Sequence, residues 1–478
     1  MSSQTRKKLI VRPEINASVW YAVSNTASRA FSLLATPVFT RLLSPEEYAT
    51  YPLYVSYMGI FTVLATFEIP GTITYGGLAK FKDEDAHGFL LSALISEIFL
   101  SFSFLILYLF TKNAVNAFTG MSTTLTLVLI LQVFLNSAEG LFLSKKRFLN
   151  SYKWVTFVNT LTGVFTPLLS ILLIKSGLSR GARIISQLVV SAVLVACVTY
   201  KVISDGRRLI RREHFKYIFS LAAPMLPHYL ALSVTAGADK IIIANELGKA
   251  SLGKYSVAFS LGFAVSILGS AMQMALAPWI AKRTKENNVR GVIFTIGASQ
   301  KLLCVLTMMF LCLAPEFFYI LADKSYHDAI NVIYPVAISC IFSFSSALCV
   351  GAATRLGKAG KITLTTLLSA VLSVALSYIL VRYLGYIGGA VSALFVSVFR
   401  FLGNLIIICE KKENNLKNIN IYLQNSFFVF VFGGALFALR WVYVSRILLF
   451  SALIIILFAT FRKYKDVLLG EKKEEALG

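Results

Sequence analysis

INASVWYAVSNTASRAFSLLATPVFTRL, residues 15–42, is an apolar stretch that is more polar than a membrane anchor needs to be. A spanning helix takes about 20 residues, so this one is long enough. At helical spacing Ser18, Asn25, Arg29, Ser32 and Thr36 fall on one stripe, while Trp20, Val23, Ala27, Phe31, Leu34 and Val38 fill the rest. Arg29 lies near mid-depth, where an unpaired charge costs at least about 2.5–3.5 kcal/mol. Its guanidinium is therefore expected to face a water-filled cavity, or a carboxylate on a neighbouring helix, and not lipid.

Outward from this helix the chain is of one kind. Hydrophobic residues make up 57% of the 478, charged residues only 14%, and there are 37 Phe. Mean hydropathy is +0.72. Soluble domains carry about 25% charged residues, so the composition is that of an all-α polytopic membrane protein. Fourteen apolar segments of spanning length are expected, at 15–40, 48–70, 87–111, 123–143, 155–174, 184–203, 217–243, 255–277, 291–314, 329–351, 362–381, 386–409, 421–439 and 446–461. The helix after Arg6, Lys7, Lys8 and Arg12 is too long and polar for a cleaved signal segment, and it is expected to be retained.

The charge distribution orients these spans. With the N-terminus inside, 31 Lys and Arg fall on the side of the termini, 11 on the other side and four within spans. The positive-inside rule then places both termini in the cytoplasm. That bias accounts for most of the +23 net charge without nucleic acid. The richest clusters, Lys145 to Lys153 and Arg207 to Lys216, are topology anchors that also touch membrane lipids.

Several classes of function find no support. The connections are too short for a soluble catalytic domain. Six cysteines (Cys197, Cys304, Cys312, Cys340, Cys349, Cys409) lie in apolar segments without metal spacing, and the four histidines form no i, i+4 pair. Neither a metal, a cofactor nor a disulfide framework is expected, and an enzyme lacks any nucleophile constellation.

An internal repeat is the second strong signal. TRLLSPEEYATYPL (40–53) and DKIIIANELGKASLGKYSV (239–257) each place a cation and an aliphatic run before a short loop and a Tyr. Tyr51 matches Tyr255, Arg41 matches Lys240, and the same register sets Glu97 against Lys301. The organisation expected is a six-helix half at 1–203, a second at 204–409, and two further helices with a basic tail at 410–478. Transporters built from repeats hold substrate between the halves near the midplane.

TRLLSPEEYATYPLYVSYMGIF (40–61), PMLPHYLALSVTAGADKIIIA (224–244) and LGYIGGAVSALFV (384–396) carry a resemblance. The chain resembles the bacterial polysaccharide-repeat (O-antigen or capsule) flippases of the Wzx type, in the multidrug, oligosaccharidyl-lipid and polysaccharide exporter superfamily. The resemblance runs nearly end to end. It implies translocation of undecaprenyl-diphosphate-linked glycan between leaflets of the bacterial inner membrane, by alternating access coupled to H+ or Na+. It also implies a polysaccharide polymerase and chain-length proteins as partners.

The charges inside the spans fit that expectation. Arg29 and Lys301, one from each half, sit near mid-membrane and are expected to receive the diphosphate; Arg400, Lys240 and His228 are the further substrate-binding candidates. Glu97 is the first candidate for ion coupling and Asp239 the second. Pro224 and Pro227 are expected to kink the seventh helix as moving parts. Asp239 beside Lys240 reads either as a gate pairing with Arg41 or as a helix cap. Glu139 is expected to pair with Lys145 or a basic loop. Tyr48, Tyr51, Tyr54 and Tyr57 read as sugar-stacking or, more simply, interface-belt residues. The rival functions are a lipid II flippase with a similarly basic cavity, a multidrug or cation antiporter with a carboxylate-lined one, and a membrane scaffold.

Overall fold

SPEE, residues 44–47, shows how local chemistry starts a helix here. Ser44 Oγ accepts the Glu47 N–H, Glu47 Oε2 accepts the Ser44 N–H at 3.1 Å, and Pro45 opens the first turn. The computed structural model describes residues 13–178, 180–206, 210–286, 288–409, 419–440 and 442–468. Among them there is no strand. The helices run α1 (Pro13–Leu42), α2 (Pro45–Thr66), α3 (Thr72–Lys80), α4 (Asp83–Thr119), α5 (Thr123–Phe148), α6 (Tyr152–Lys175), α7 (Ala182–Gly206), α8 (Arg212–Phe263), α9 (Val265–Lys285), α10 (Val289–Leu321), α11 (Ile333–Arg355), α12 (Ala359–Leu384), α13 (Tyr386–Cys409), α14 (Ile419–Ala438) and α15 (Tyr443–Leu468).

Ten helical stretches of the described residues are long and apolar enough to cross a membrane, and the chain is a polytopic helical membrane protein. The expectation of fourteen spans exceeds this number for local reasons. α1 and α2, of 30 and 22 residues, have the length but carry polar residues, and the apolar run of α7 is confined to Ala182–Cys197. The stretch Arg212–Ala277 contains a reversal. There Gly248 leaves helical geometry at φ 84°, a conformation open to glycine. The Tyr255 hydroxyl donates to the Asp239 carboxylate sixteen residues back, which an unbroken helix would place about 24 Å away.

Pro224 and Pro227 do not break the helix, since α8 continues helically through both and reverses at Gly248 instead. In membrane helices, neighbouring helices and local adjustment satisfy the carbonyls a proline frees. The second segment also ends earlier than expected. Phe67 and Glu68 adopt left-handed backbone (φ 52° and 54°) and turn the chain from α2 into α3.

Close packing of the bundle rests on small residues. A Cβ on Gly253 would lie 1.8 Å from the Pro45 carbonyl oxygen, and one on Gly237 would lie 3.1 Å from Ser56 Cβ, so α2 and α8 pack backbone to backbone. Gly163 does the same for α6 against Ser28 of α1, where Ser28 Oγ also donates to Asn159 O at 2.7 Å. All six cysteines are free.

At the end of the bundle opposite Pro13, α1 and the loop after it are stitched to residues 320–326. Thr40 Oγ1 donates to Leu321 O (3.2 Å), Arg41 Nη2 to Ile320 O (3.4 Å) and the Tyr326 hydroxyl to Leu43 O (2.9 Å). Two further ion pairs, Lys254 with Asp328 at 2.7 Å and Arg382 with Glu246 at 2.9 Å, lie within residues 204–409 and do not join them to the N-terminal helices. α14 and α15 dock on α10. Asn425 Nδ2 donates to Gly297 O at 2.9 Å, and Arg446 grips Glu316 with two bonds of 2.7 and 2.6 Å.

Candidate functional site

A cavity of about 700 Å³ lies between α1 and α2 on one side and α8 and α9 on the other, closed laterally by Gly163 of α6 and Arg183 of α7. Of the polar stripe of α1, Arg29, Ser32 and Thr36 line it together with Ser28, whereas Asn25 turns to α6 and accepts from Asn159 Nδ2 at 3.2 Å. Arg29 is exposed to this space, and its Nη1 donates to Ser270 Oγ of α9 at 3.4 Å. Lys240 lines the opposite wall, with its ammonium 4.2 Å from the Phe259 ring centroid and 3.5 Å from Asp239 Oδ1. The third cation is Arg183. It lies 4.0 Å from the Tyr51 ring, 4.7 Å from Phe39 and 5.2 Å from Tyr48, and its Nη1 has no hydrogen-bond partner. Three cations and no carboxylate stand among the described lining residues.

The cations are spread along the cavity. Phe39, which touches Arg183, is ten residues beyond Arg29 on α1, or about 15 Å along its axis. Arg29 thus marks the end of the cavity nearer the N-terminus of α1, and Arg183 the stitched end.

A second cavity of about 300 Å³ opens beside the first, among α1, α2, α5, α6 and α7. Ser32, Tyr51, Gly163 and Arg183 line both. Its remaining wall is mixed, with Asn136, Glu139, Thr166, Ser170, Gln187 and Ser191 beside the apolar Phe39 and Pro167. Tyr51 holds Gln187 by donating to Oε1 at 2.9 Å.

The structure brings Arg29 and Lys240 together and separates the other substrate-binding candidates from them. Lys301 was expected opposite Arg29, but it lines neither cavity. Its ammonium sits 3.9 Å from the Phe428 ring on α14, because that face of α10 is turned toward the appended helices. Arg400 points from α13 to α11, where Nη2 donates to Ser343 Oγ at 3.4 Å. His228 packs edge-on against Tyr229 at 5.7 Å, with Nδ1 buried and unpartnered.

Of the ion-coupling candidates, Glu97 of α4 is fully buried outside both cavities, next to Ser137 of α5 and without an ion pair among the described residues. Asp239 is buried and accepts from Tyr255. The gate pair of Asp239 with Arg41 is not made here. Arg41 instead donates to the Ile320 carbonyl at the far end of α1.

Two carboxylate and aromatic expectations also change. Glu139 makes no close ion pair among the described residues and opens on the smaller cavity; Arg147 of the basic cluster acts on it through space, as the basic-loop alternative expects, while Lys145 Nζ lies 3.4 Å from His87 Nδ1. The tyrosines do not form an interface belt. Tyr54 and Tyr57 are buried in the bundle, and Tyr48 and Tyr51 line the larger cavity.

Sequence reasoning missed Arg183. At the first turn of α7 it read as one more loop cation, and nothing local reveals that three aromatic rings from α1 and α2 surround it.

Comparison with known proteins accords with this architecture. The lipid II flippase MurJ in an inward closed conformation superposes with a TM-score of 0.69 at 13% identity, covering 94% of this chain and 100% of that one. An inward-facing multidrug resistance MATE family transporter of the MOP superfamily gives 0.60 at 18%, covering 82% and 99%. A MOP superfamily transporter from Pyrococcus furiosus, described as having a binding pocket of reverse polarity, gives 0.59 at 16%, covering 84% and 97%. At such identities the likeness is one of fold. In sequence, a protein of the Lsg locus of Haemophilus influenzae is 21% identical over 282 residues, which cover 57% of this chain and 67% of that protein. Residues 16–284 match the family described as polysaccharide biosynthesis protein. Because that match spans more than half of its length, the chain belongs to the polysaccharide biosynthesis protein family.

Proposed function

We propose that the protein is a flippase that carries undecaprenyl-diphosphate-linked oligosaccharide from the inner to the outer leaflet of the bacterial cytoplasmic membrane. The observation that carries this reading is the set of Arg29, Lys240 and Arg183 on a cavity of about 700 Å³ with no carboxylate among its described lining residues. Such a wall attracts a diphosphate, to which each guanidinium offers a fork and the ammonium a point charge. It disfavours organic cations, which makes a multidrug antiporter the weaker reading. A lipid II flippase shares the same chemistry and stays as the alternative.

In this proposal the chain crosses the membrane fourteen times with both termini cytoplasmic, and the halves 1–203 and 204–409 rock about the site. The stitched side is then the periplasmic one, closed by Thr40, Arg41 and Tyr326. The diphosphate meets Arg29 first and Arg183 and Lys240 deeper. When the stitches break, it is released outward. H+ or Na+ coupling is assigned to Glu97, with Asp239 second.

The test is the sidedness of lipid-diphosphate-linked glycan in cells lacking the protein. Accumulation on the cytoplasmic face, relieved by wild type and not by a stably inserted Arg29→Ala variant, is the expected result. A normal distribution together with new sensitivity to cationic dyes refutes it.

A further inference from the structure

We infer that the smaller cavity, walled by Asn136, Glu139, Thr166, Ser170, Gln187 and Ser191, is a subsite for the sugar residue joined to the diphosphate. The inference rests on the flippase reading above. One substrate is then gripped at two adjoining places, its phosphates on cations and its first sugar inside the N-terminal half.

Position is the first argument. Ser32 lines both cavities and lies three residues from Arg29 on α1, about 4.5 Å along the helix axis. A sugar bonded directly to a diphosphate held by Arg29 reaches the mouth of this space without any other movement.

Chemistry is the second. The wall offers hydroxyls, carboxamides and one carboxylate, the groups that exchange hydrogen bonds with a polyol, beside the apolar faces of Phe39 and Pro167 on which a sugar ring can rest. The donor and acceptor supply is held in place by a network: Gln132 Nε2 donates to Asn136 Oδ1 at 2.6 Å and to Ser191 Oγ at 3.1 Å. Glu139 makes no close ion pair among the described residues; Arg147 acts on it only through space, and its carboxylate opens on the cavity, able to accept from a sugar hydroxyl, an acetamido N–H or an amino group. Tyr51 and Arg183 form the boundary between the two spaces, so the anion grip and the sugar grip share a wall.

Size is the third. About 300 Å³ holds roughly ten waters at ~30 Å³ each, enough for one sugar residue with a few waters and far more than a dehydrated ion fills. Among the described residues no group of three or more His, Cys, Asp or Glu could hold a metal ion.

The experiment measures the affinity of the full chain in lipid nanodiscs for two probes, bare polyprenyl diphosphate and polyprenyl diphosphate carrying one N-acetylhexosamine. Wild type should prefer the glycosylated probe. Thr166→Phe, which fills the cavity, should reduce that preference about tenfold, or about 1.4 kcal/mol, with affinity for the bare diphosphate unchanged. Thr166→Val and Glu139→Gln, which keep the volume, should each reduce it in part, and they serve if the Phe variant does not fold. An unchanged preference in all three variants overturns the subsite, as does an equal loss for both probes. A change confined to the Na+ or H+ dependence of transport in Glu139→Gln overturns it in favour of an ion site. A wild type that binds neither probe, while well folded, refutes the flippase reading itself and the subsite with it.

Discussion

Replacing Arg183 by Gln removes a cation that the fold holds in place without a carboxylate. The guanidinium is 4.0 Å from the Tyr51 ring centroid, with Phe39 and Tyr48 behind it, and Nη1 lacks a hydrogen-bond partner. A phosphate oxygen about 4 Å away would feel roughly 4 kcal/mol of attraction at an effective dielectric constant near 20. Desolvation offsets part of this, and charge-assisted hydrogen bonds retain about 1.5–3 kcal/mol net. At 1.4 kcal/mol per tenfold, Arg183→Gln should weaken binding of bare polyprenyl diphosphate by about 10- to 150-fold. Arg183→Lys keeps the charge, loses the fork, and should fall between. The ring contacts also contribute about 0.5–2 kcal/mol each to stability, so both variants should melt lower than wild type. Titration of nanodisc-embedded protein at two salt concentrations, with melting curves on the same samples, separates the two effects. A Gln variant that melts lower and binds diphosphate as tightly as wild type would refute the argument. The cage would then be packing alone.

Three further outcomes follow from particular contacts. Glu97→Gln should leave the protein folded and remove the dependence of transport on the ion gradient, measured in proteoliposomes with imposed gradients; retained coupling would move that role to another carboxylate. Gly253→Ala places a Cβ 1.8 Å from the Pro45 carbonyl oxygen, and the overpacking should cost about 1–3 kcal/mol, read as a lower melting temperature. Arg446→Met breaks a doubly bonded pair whose Glu316 partner is 39% exposed, so about 1.5–3 kcal/mol is an upper range after solvent screening. It should loosen α15 from α10, detected as faster proteolysis or hydrogen exchange in residues 443–468, and unchanged protection would show that apolar packing alone holds α15.

The class of this protein is a property of its one-dimensional pattern. Hydropathy, length of segments and placement of Lys and Arg are local quantities, because a bilayer acts on each segment in turn through apolar transfer and charge exclusion. The SPEE helix start and the polar stripe of α1 are legible for the same reason, since each is decided within a few helical turns. The stripe pointed to a cavity, and Arg29, Ser32 and Thr36 of it do line one.

Which charges meet in that cavity was decided only by tertiary structure. Arg29 and Lys301 are both expected near mid-membrane from their place in their segments, yet such a reading leaves the rotation of each helix about its axis open, and α10 turns Lys301 toward Phe428 of α14. Arg183 looks like a loop cation until α1 and α2 bring Phe39, Tyr48 and Tyr51 around it. The break in α8 follows the same logic. Proline removes one donor, a loss that neighbouring helices absorb, whereas Gly248 permits a positive φ that lets the chain reverse. Helix rotation, close approach and reversal depend on partners distant in sequence, and no window along the chain contains them.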